Sequence, residues 1–277
     1  MSKAIENKIN KIYKEIFKKV FTKERISELS KGNRTSIEFA IVKLKSSYKY
    51  DEFCKKFAEA LAKNGLNNQK GIWRKYFEAA KASHHIALPK TFKEFELNAL
   101  KKVASQNFEM IKSIPDKIME TMNQKYVSAL IEEVAKGSLP RGSFKKELQK
   151  HENKNAGVIA RTEAAKIQTA VMENRSTSLG SVAYEWLSSN DKRTRPSHRE
   201  MNGVIVFWRK SNLEKPLLDN MYGNAGEFPN CRCSPEPVFD EEDLQNSSYK
   251  VYDYKQRKVV TMKREELIEK IKKGSLD

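Results

Sequence analysis

A mainly α-helical protein that ends in a small α+β module is the fold class this sequence predicts. Through the first half, apolar residues recur at spacings of three and four, the period of a helix buried on one face. After Gly180 the pattern turns strand-like, with Val182-Ala183-Tyr184-Glu185-Trp186-Leu187 and then Val204–Trp208. Glycine, proline and asparagine crowd into Pro216–Pro237, the composition of an irregular and functional segment. At 277 residues the chain is long enough for one or two domains and a sizeable core.

The elements follow in order. Ile5, Ile9, Ile12, Tyr13, Ile16, Phe17, Val20 and Phe21 form one stripe with lysines opposite, which predicts the first helix. Gly32-Asn33 breaks it. Thr35 or Ser36 can cap a second helix that carries Ile37, Ile41, Leu44, Phe53, Phe57 and Leu61 and stops at Asn64-Gly65. A third holds Trp73, Tyr76, Phe77 and Ala80, and a fourth runs from about Phe92 to Ile111. Pro115 suits a first turn and opens a helix through Ile118, Met122, Val127, Leu130 and Val134, with Gly137 as its stop. A loop at 138–142 leads to a short helix, Ser143–His151, and another spans about Ala156 to Ser176. Asn202-Gly203 is a tight turn before the second strand. A hairpin, Tyr249–Met262, and a charged helix, Lys263–Lys273, complete the pattern.

Charge is unevenly distributed. The chain carries 53 basic and 36 acidic side chains, a net of +17. Residues 1–150 hold 32 and 17 of these, a net of +15, and residues 151–277 hold 21 and 19, a net of +2. The first half therefore suits a polyanion or an acidic protein surface, or is simply a solvated lysine-rich face. No apolar run reaches the roughly 18 residues that a membrane span needs, so no membrane partner is expected. Met1–Glu6 alternates charged and apolar residues and shows no signal-peptide core. Three cysteines, an odd number, argue for a reducing compartment such as cytoplasm and against a disulfide scaffold.

The densest cluster of chemistry-bearing residues is Asp191-Lys192-Arg193-Thr194-Arg195-Pro196-Ser197-His198, followed by Asn230-Cys231-Arg232-Cys233. Two thiolates and an imidazole suit zinc, with His198, Cys231 and Cys233 as ligands and Asp191 as the fourth. The Cys-x-Cys spacing is unusual for zinc, because on a regular strand the thiols face opposite sides; a turn at Arg232 is required. Catalysis is a second reading. Asp191, His198 and Glu200 would serve a metal-dependent nuclease, and Cys231 with His198 a thiol nucleophile, but no enzyme motif surrounds them. A third reading is structural: the planar forks of Arg193 and Arg195 suit Asp191, Glu163 or Glu185, in an arginine–carboxylate–histidine network. Arg161 and Glu163, two apart on a helix, serve different partners. His84-His85 reads as a cap or as surface.

Ala160-Arg161-Thr162-Glu163, Trp186, Asp191-x-Arg193-Thr194-Arg195-x-x-His198, Asn202-Gly203 and Asn230-Cys231-Arg232-Cys233 occur in one order and spacing. That order, with Gly226-Glu227-Phe228-Pro229 before the cysteines, resembles the phage Mu F-like head morphogenesis proteins, the minor capsid proteins of tailed phages. The resemblance covers about residues 138–240. It divides the chain into a basic helical region at 1–137, the Mu F-like module at 138–240, and a hairpin-plus-helix extension at 241–277.

The resemblance implies a virion protein rather than an enzyme. It would be made in the host cytoplasm and housed inside the capsid at the portal vertex. The implied partners are the portal protein and packaged double-stranded DNA, bound without sequence preference, with the major capsid or scaffolding protein as further candidates. Arg161, Thr162, Glu163, Trp186, Asp191, Arg193, Arg195, His198, Asn230 and Arg232 would form the motif network. The basic helices within 1–150 would meet DNA or portal. Zinc is the one cofactor the residues suggest. Some members carry toxin domains behind this module; about 38 residues follow Phe239, too few for one. The alternative function is a metal-dependent nuclease or a zinc-stabilised nucleic-acid-binding protein.

Overall fold

The computed structural model describes residues 3–67, 69–83, 88–121, 124–136, 141–209 and 211–274. Eight helices come first among these: α1 (Lys3–Val20), α2 (Lys23–Leu29), α3 (Thr35–Lys45), α4 (Tyr48–Asn67), α5 (Lys70–Ser83), α6 (Phe92–Lys112), α7 (Ile114–Thr121) and α8 (Gln124–Ala135). The long α9 (Arg141–Ser178) follows. Next come β1 (Ala183–Leu187), α10 (Pro196–Glu200), β2 (Val204–Phe207), β3 (Leu217–Leu218), β4 (Met221–Tyr222) and β5 (Ser234–Val238). The chain closes with β6 (Ser248–Asp253), β7 (Lys258–Lys263) and α11 (Arg264–Lys273). The protein is mainly α with a small α+β module, as its patterning predicts. No described helix is long and apolar enough to cross a membrane.

Two compact units share the chain, and their boundaries fall within α4, α6 and α9. The helical unit comprises Ser2–Leu61 with Ala104–Glu163. Its centre is the α1 stripe: Ile5, Ile9, Ile12, Tyr13, Ile16 and Val20 are buried, and α1 packs on α3 and α7. The Tyr50 hydroxyl donates to the Ile111 carbonyl at 2.9 Å and the Asn107 amide to that of Ala58 at 3.3 Å, which pins α4 to α6.

The helix expected over residues 35–64 is two. Ser46 closes α3, and the Ser47 hydroxyl accepts the Tyr50 N–H at 3.1 Å, starting α4 afresh. α4 then runs past Asn64-Gly65 to Asn67. Nor do Thr35 or Ser36 cap α3: Arg34 holds the cap position, and the Asn33 side chain accepts from the Thr35 N–H. The helix expected from Pro115 is seen as α7 and α8, on either side of residues 122–123; those two, Gly137 and His84-His85 lie outside the described residues.

In α9 the difference runs the other way. The two helices expected at 143–151 and 156–176 are continuous. The Glu152–Asn155 polar run holds helical shape because the Asn155 amide meets His151 Nδ1 one turn back at 3.0 Å, while buried Glu152 accepts from the Tyr13 hydroxyl of α1.

The sheet-bearing unit comprises Ala62–Val103 with Ala164–Asp277. Its five-stranded sheet has the order β5-β1-β2-β6-β7, antiparallel except where β2 meets β6. The terminal hairpin β6–β7 thus completes the sheet that β1 and β2 begin. β2 is buried along its whole length, and alternation splits it: Val204 and Val206 join one apolar cluster, Ile205 and Phe207 another. The first cluster, with Tyr184, Trp186, Phe228, Cys231 and Cys233, is the floor of the site below.

Candidate functional site

The loop after β1 is shaped by Asp191. Its Oδ1 accepts the Arg193 N–H at 2.9 Å and the Thr194 hydroxyl at 3.3 Å, while the Thr194 N–H returns to the Asp191 carbonyl at 3.0 Å. These are local side-chain bonds of the kind that make aspartate a turn residue. Arg232 then grips the same carboxylate with both arms of its fork, one at 2.6 Å. The Arg232 bond, with the Arg193 N–H, holds the Asp191 carboxyl well below the usual carboxylate range. Asp191 is therefore not the fourth metal ligand its position suggests: Arg232 and the turn take up its lone pairs.

Pro196 sits in the first turn of α10, where its missing N–H costs nothing, and the helix turns His198 inward. The imidazole is 3% exposed and lies edge-on to Phe228 at 4.9 Å and Trp186 at 5.8 Å between centroids. Its Nδ1 lies 3.4 Å from the Cys231 sulfur and 3.5 Å from that of Cys233. Its Nε2 is 3.5 Å from Asp219 Oδ2 and from the Arg195 guanidinium. Arg195 also donates to Asp219 at 3.1 Å and to the Pro229 carbonyl at 2.7 Å, and the Ser197 hydroxyl donates to Asp219 at 2.8 Å. Burial works against the Asp219 charge, but the Ser197 hydroxyl and Arg195 hold its carboxyl below the ordinary range.

Both thiols face one point because the chain has not yet entered β5. Asn230 adopts a left-handed φ of +52°, the Cys231 N–H closes a turn on the Phe228 carbonyl, and the Cys231 sulfur accepts the Cys233 N–H at 3.4 Å. All three cysteines are free and buried, Cys54 in the helical unit. The Cys233 thiol, with His198 adding to it, holds Cys231 well below the ordinary thiol range. The same bond, together with burial, pushes Cys233 up.

The preceding segment fits tightly. Gly226 has φ +91°, and a Cβ there would lie 2.6 Å from the Thr169 hydroxyl and 3.1 Å from the Cys233 carbonyl. Glu227 bonds Lys215 at 3.0 Å and the Asn224 N–H at 2.7 Å, and buried Phe228 follows beneath His198.

Of the sequence-predicted residues, Trp186, Asp191, Arg195, His198, Asn230, Cys231, Arg232 and Cys233 come together here. Arg193 is exposed and contributes its backbone N–H. Arg161, Thr162 and Glu163 belong to the helical unit, where Arg161 is exposed, Thr162 bonds the Val158 carbonyl and Glu163 pairs with Lys117 at 2.8 Å. Glu200 is exposed, and neither it nor Asp191 joins the one group of three metal-capable ligands among the described residues, His198, Cys231 and Cys233. Asp219 was not foreseen. Its signal was the pair Asp219-Asn220 between Leu218 and Met221: both have positive φ, the two-residue turn of the β3–β4 hairpin.

Fold and site define a helical protein with a Cys-x-Cys/His module of fixed motif order. Residues 124–235 match the family model described as Phage Mu protein F like protein, which bears out the resemblance and extends it toward the amino terminus. An uncharacterized protein of Haemophilus influenzae is 31% identical over 156 residues, covering 55% of this chain and 32% of that one. A protein of Enterococcus faecalis named NAD(+)--arginine ADP-ribosyltransferase EFV is 34% identical over 118 residues, 36% of this chain and 24% of that one. The chain thus spans about a third or less of the length of these relatives. No solved structure matches it.

Proposed function

We propose that the protein is a minor head protein of a tailed phage or prophage. It acts in head morphogenesis from inside the capsid at the portal vertex, with its lysine-rich helices against packaged double-stranded DNA. The family match over 124–235 carries this reading, because that stretch holds both the Asp191–His198 and Asn230–Cys233 motifs. The charge supports the finer part. Lys11, Lys14 and Lys18 are exposed on α1 at spacings of three and four, while Ile9, Ile12 and Ile16 are buried. Lys55, Lys56 and Lys63 are exposed on α4. Rows of this kind meet phosphates by charge alone and read no base sequence. A structural role fits better than an enzymatic one, since Asp191 is committed to Arg232 and Glu200 stands apart in solvent.

Mobility shifts of the full chain on two unrelated duplexes of equal length test the DNA contact. Equal affinity is expected, falling roughly 10³-fold between about 50 and 200 mM salt if about six phosphates are met. No binding, or strong preference for one duplex, overturns it. Cross-linking of purified particles should join the chain to the portal protein; absence of the chain from the particle would sink the whole reading.

A further inference from the structure

We propose that His198 Nδ1, Cys231 Sγ and Cys233 Sγ bind one zinc ion, and that Asp219 is the positioning residue that orients the imidazole through Nε2. The inference stands on local geometry and is independent of the phage-head reading.

The donor set comes first. One imidazole nitrogen and two thiolates are soft to borderline ligands; they select zinc and leave magnesium or calcium, which need oxygen, unbound. Spacing comes second. Tetrahedral bonds of about 2.3 Å to sulfur and 2.05 Å to nitrogen set the sulfur and nitrogen about 3.5 Å apart. The two distances found are 3.4 and 3.5 Å, and all three donor atoms lie within 4.8 Å of one another. Cys-x-Cys would ordinarily splay its thiols, and here the left-handed Asn230 and the turn onto Phe228 bring them to one side.

The outer contacts are the third observation. A metal-binding histidine presents its second nitrogen to a carboxylate, which fixes the ring and raises its basicity. Asp219 Oδ2 stands 3.5 Å from Nε2, and Ser197 and Arg195 hold that carboxylate in place. The Cys233 N–H directed at the Cys231 sulfur stabilises a thiolate there. A hydrogen-bonded thiol pair explains the sulfur distances but gives no reason for the carboxylate behind the ring.

The three donors are 3–7% exposed, so the fourth position is left to a water and not to a large ligand. The ion therefore acts as a clamp. It joins the Cys-x-Cys loop to α10 and, through Asp219, to the β3–β4 hairpin.

The test uses the full chain, purified without chelator from zinc-supplemented cells. Elemental analysis should give about one zinc per chain, and cobalt(II) exchanged into it should show thiolate charge-transfer absorption and tetrahedral d–d bands. Cys231→Ser and Cys233→Ser should each abolish these bands, whereas Cys54→Ala should keep them. Asp219→Asn should retain the metal while losing about 10–100-fold in competition with a chelator. Chelation of the unaltered protein should lower its unfolding temperature. Less than roughly 0.1 zinc per chain, with no cobalt bands in the unaltered protein, overturns the site without recourse to any variant. Cobalt bands that survive in Cys231→Ser overturn the ligand set. Unchanged affinity in Asp219→Asn removes the positioning role.

Discussion

Around Glu152 in the helical unit and around Asp191 in the Cys-x-Cys region, carboxylates are handled in opposite ways. Glu152 is 3% exposed, and burial pushes its pKa up despite the Tyr13 hydroxyl that bonds it. Asp191 and Asp219 stay at the rim, paired with Arg232 and Arg195, and are held below the ordinary range. What goes inside this second region is aromatic or soft: an imidazole, two cysteine sulfurs, Trp186 and Phe228. The helix bundle buries its carboxyl against a tyrosine hydroxyl from a distant helix, with the His151 ring 3.7 Å from the other oxygen. A small loop-rich module keeps its carboxylates and guanidinium groups at its edge and leaves its centre to soft donors that can share a ligand or a proton.

Three substitutions probe that contrast. Phe228→Ala removes the fully buried floor beneath His198 and should cost about 3–5 kcal/mol of stability. All three tryptophans lie in the sheet-bearing unit, so denaturant unfolding followed by tryptophan fluorescence reads this loss. Equal loosening of α1 by hydrogen exchange would show that the regions do not respond separately. Tyr13→Phe strips the donor from buried Glu152 and should cost about 1–3 kcal/mol, read by hydrogen exchange in α1. The raised Glu152 pKa means that its contribution is full below the ordinary glutamate range and is lost as pH rises through the raised value. The Tyr13→Phe deficit should accordingly grow toward high pH.

Asp191→Asn should have the smallest effect, because its pair with Arg232 is open to solvent. The sign is reversed. A lowered pKa contributes stability above the ordinary aspartate range, lost as pH falls through the lowered value. In thermal melts the variant should be slightly less stable than the parent at neutral pH, converge with it in acid, and so show a flatter acid limb. An unchanged acid limb would make the Asp191 pair energetically silent.

One-sided patterns were the legible part of the sequence. Ile5 to Val20 announces α1 because one face alone is apolar, and Val204–Phe207 announces a doubly buried strand. The Ser46-Ser47 break carries neither glycine nor proline, and its cap bond forms only once α4 has turned. Residues Glu152–Asn155 look like a loop, since their helical state depends on Tyr13, far away in sequence. β5 reads Ser-Pro-Glu-Pro-Val, an unpromising strand. It survives because it is an edge strand pairing with β1 alone, and proline is tolerated where an N–H faces away from the ladder. In the site, the Asp191–His198 and Cys231–Cys233 clusters were legible by residue type. The choice of Arg232 for Asp191, and of Asp219 for His198, was not, because separations of 41 and 21 residues are bridged only by the folded sheet.

β6 lies directly beside β2, and that placement governs where a fragment carrying the site can end. The stretch that matches the family ends at residue 235, the second residue of β5 to pair with β1. A fragment cut there would keep the His198, Cys231 and Cys233 side chains yet bare one whole edge of β2, an apolar strand with open N–H and C=O groups. Such an edge pairs readily with a second copy of itself. A fragment ending at residue 235 should therefore self-associate where one ending after α11 does not, which sedimentation of the two would show.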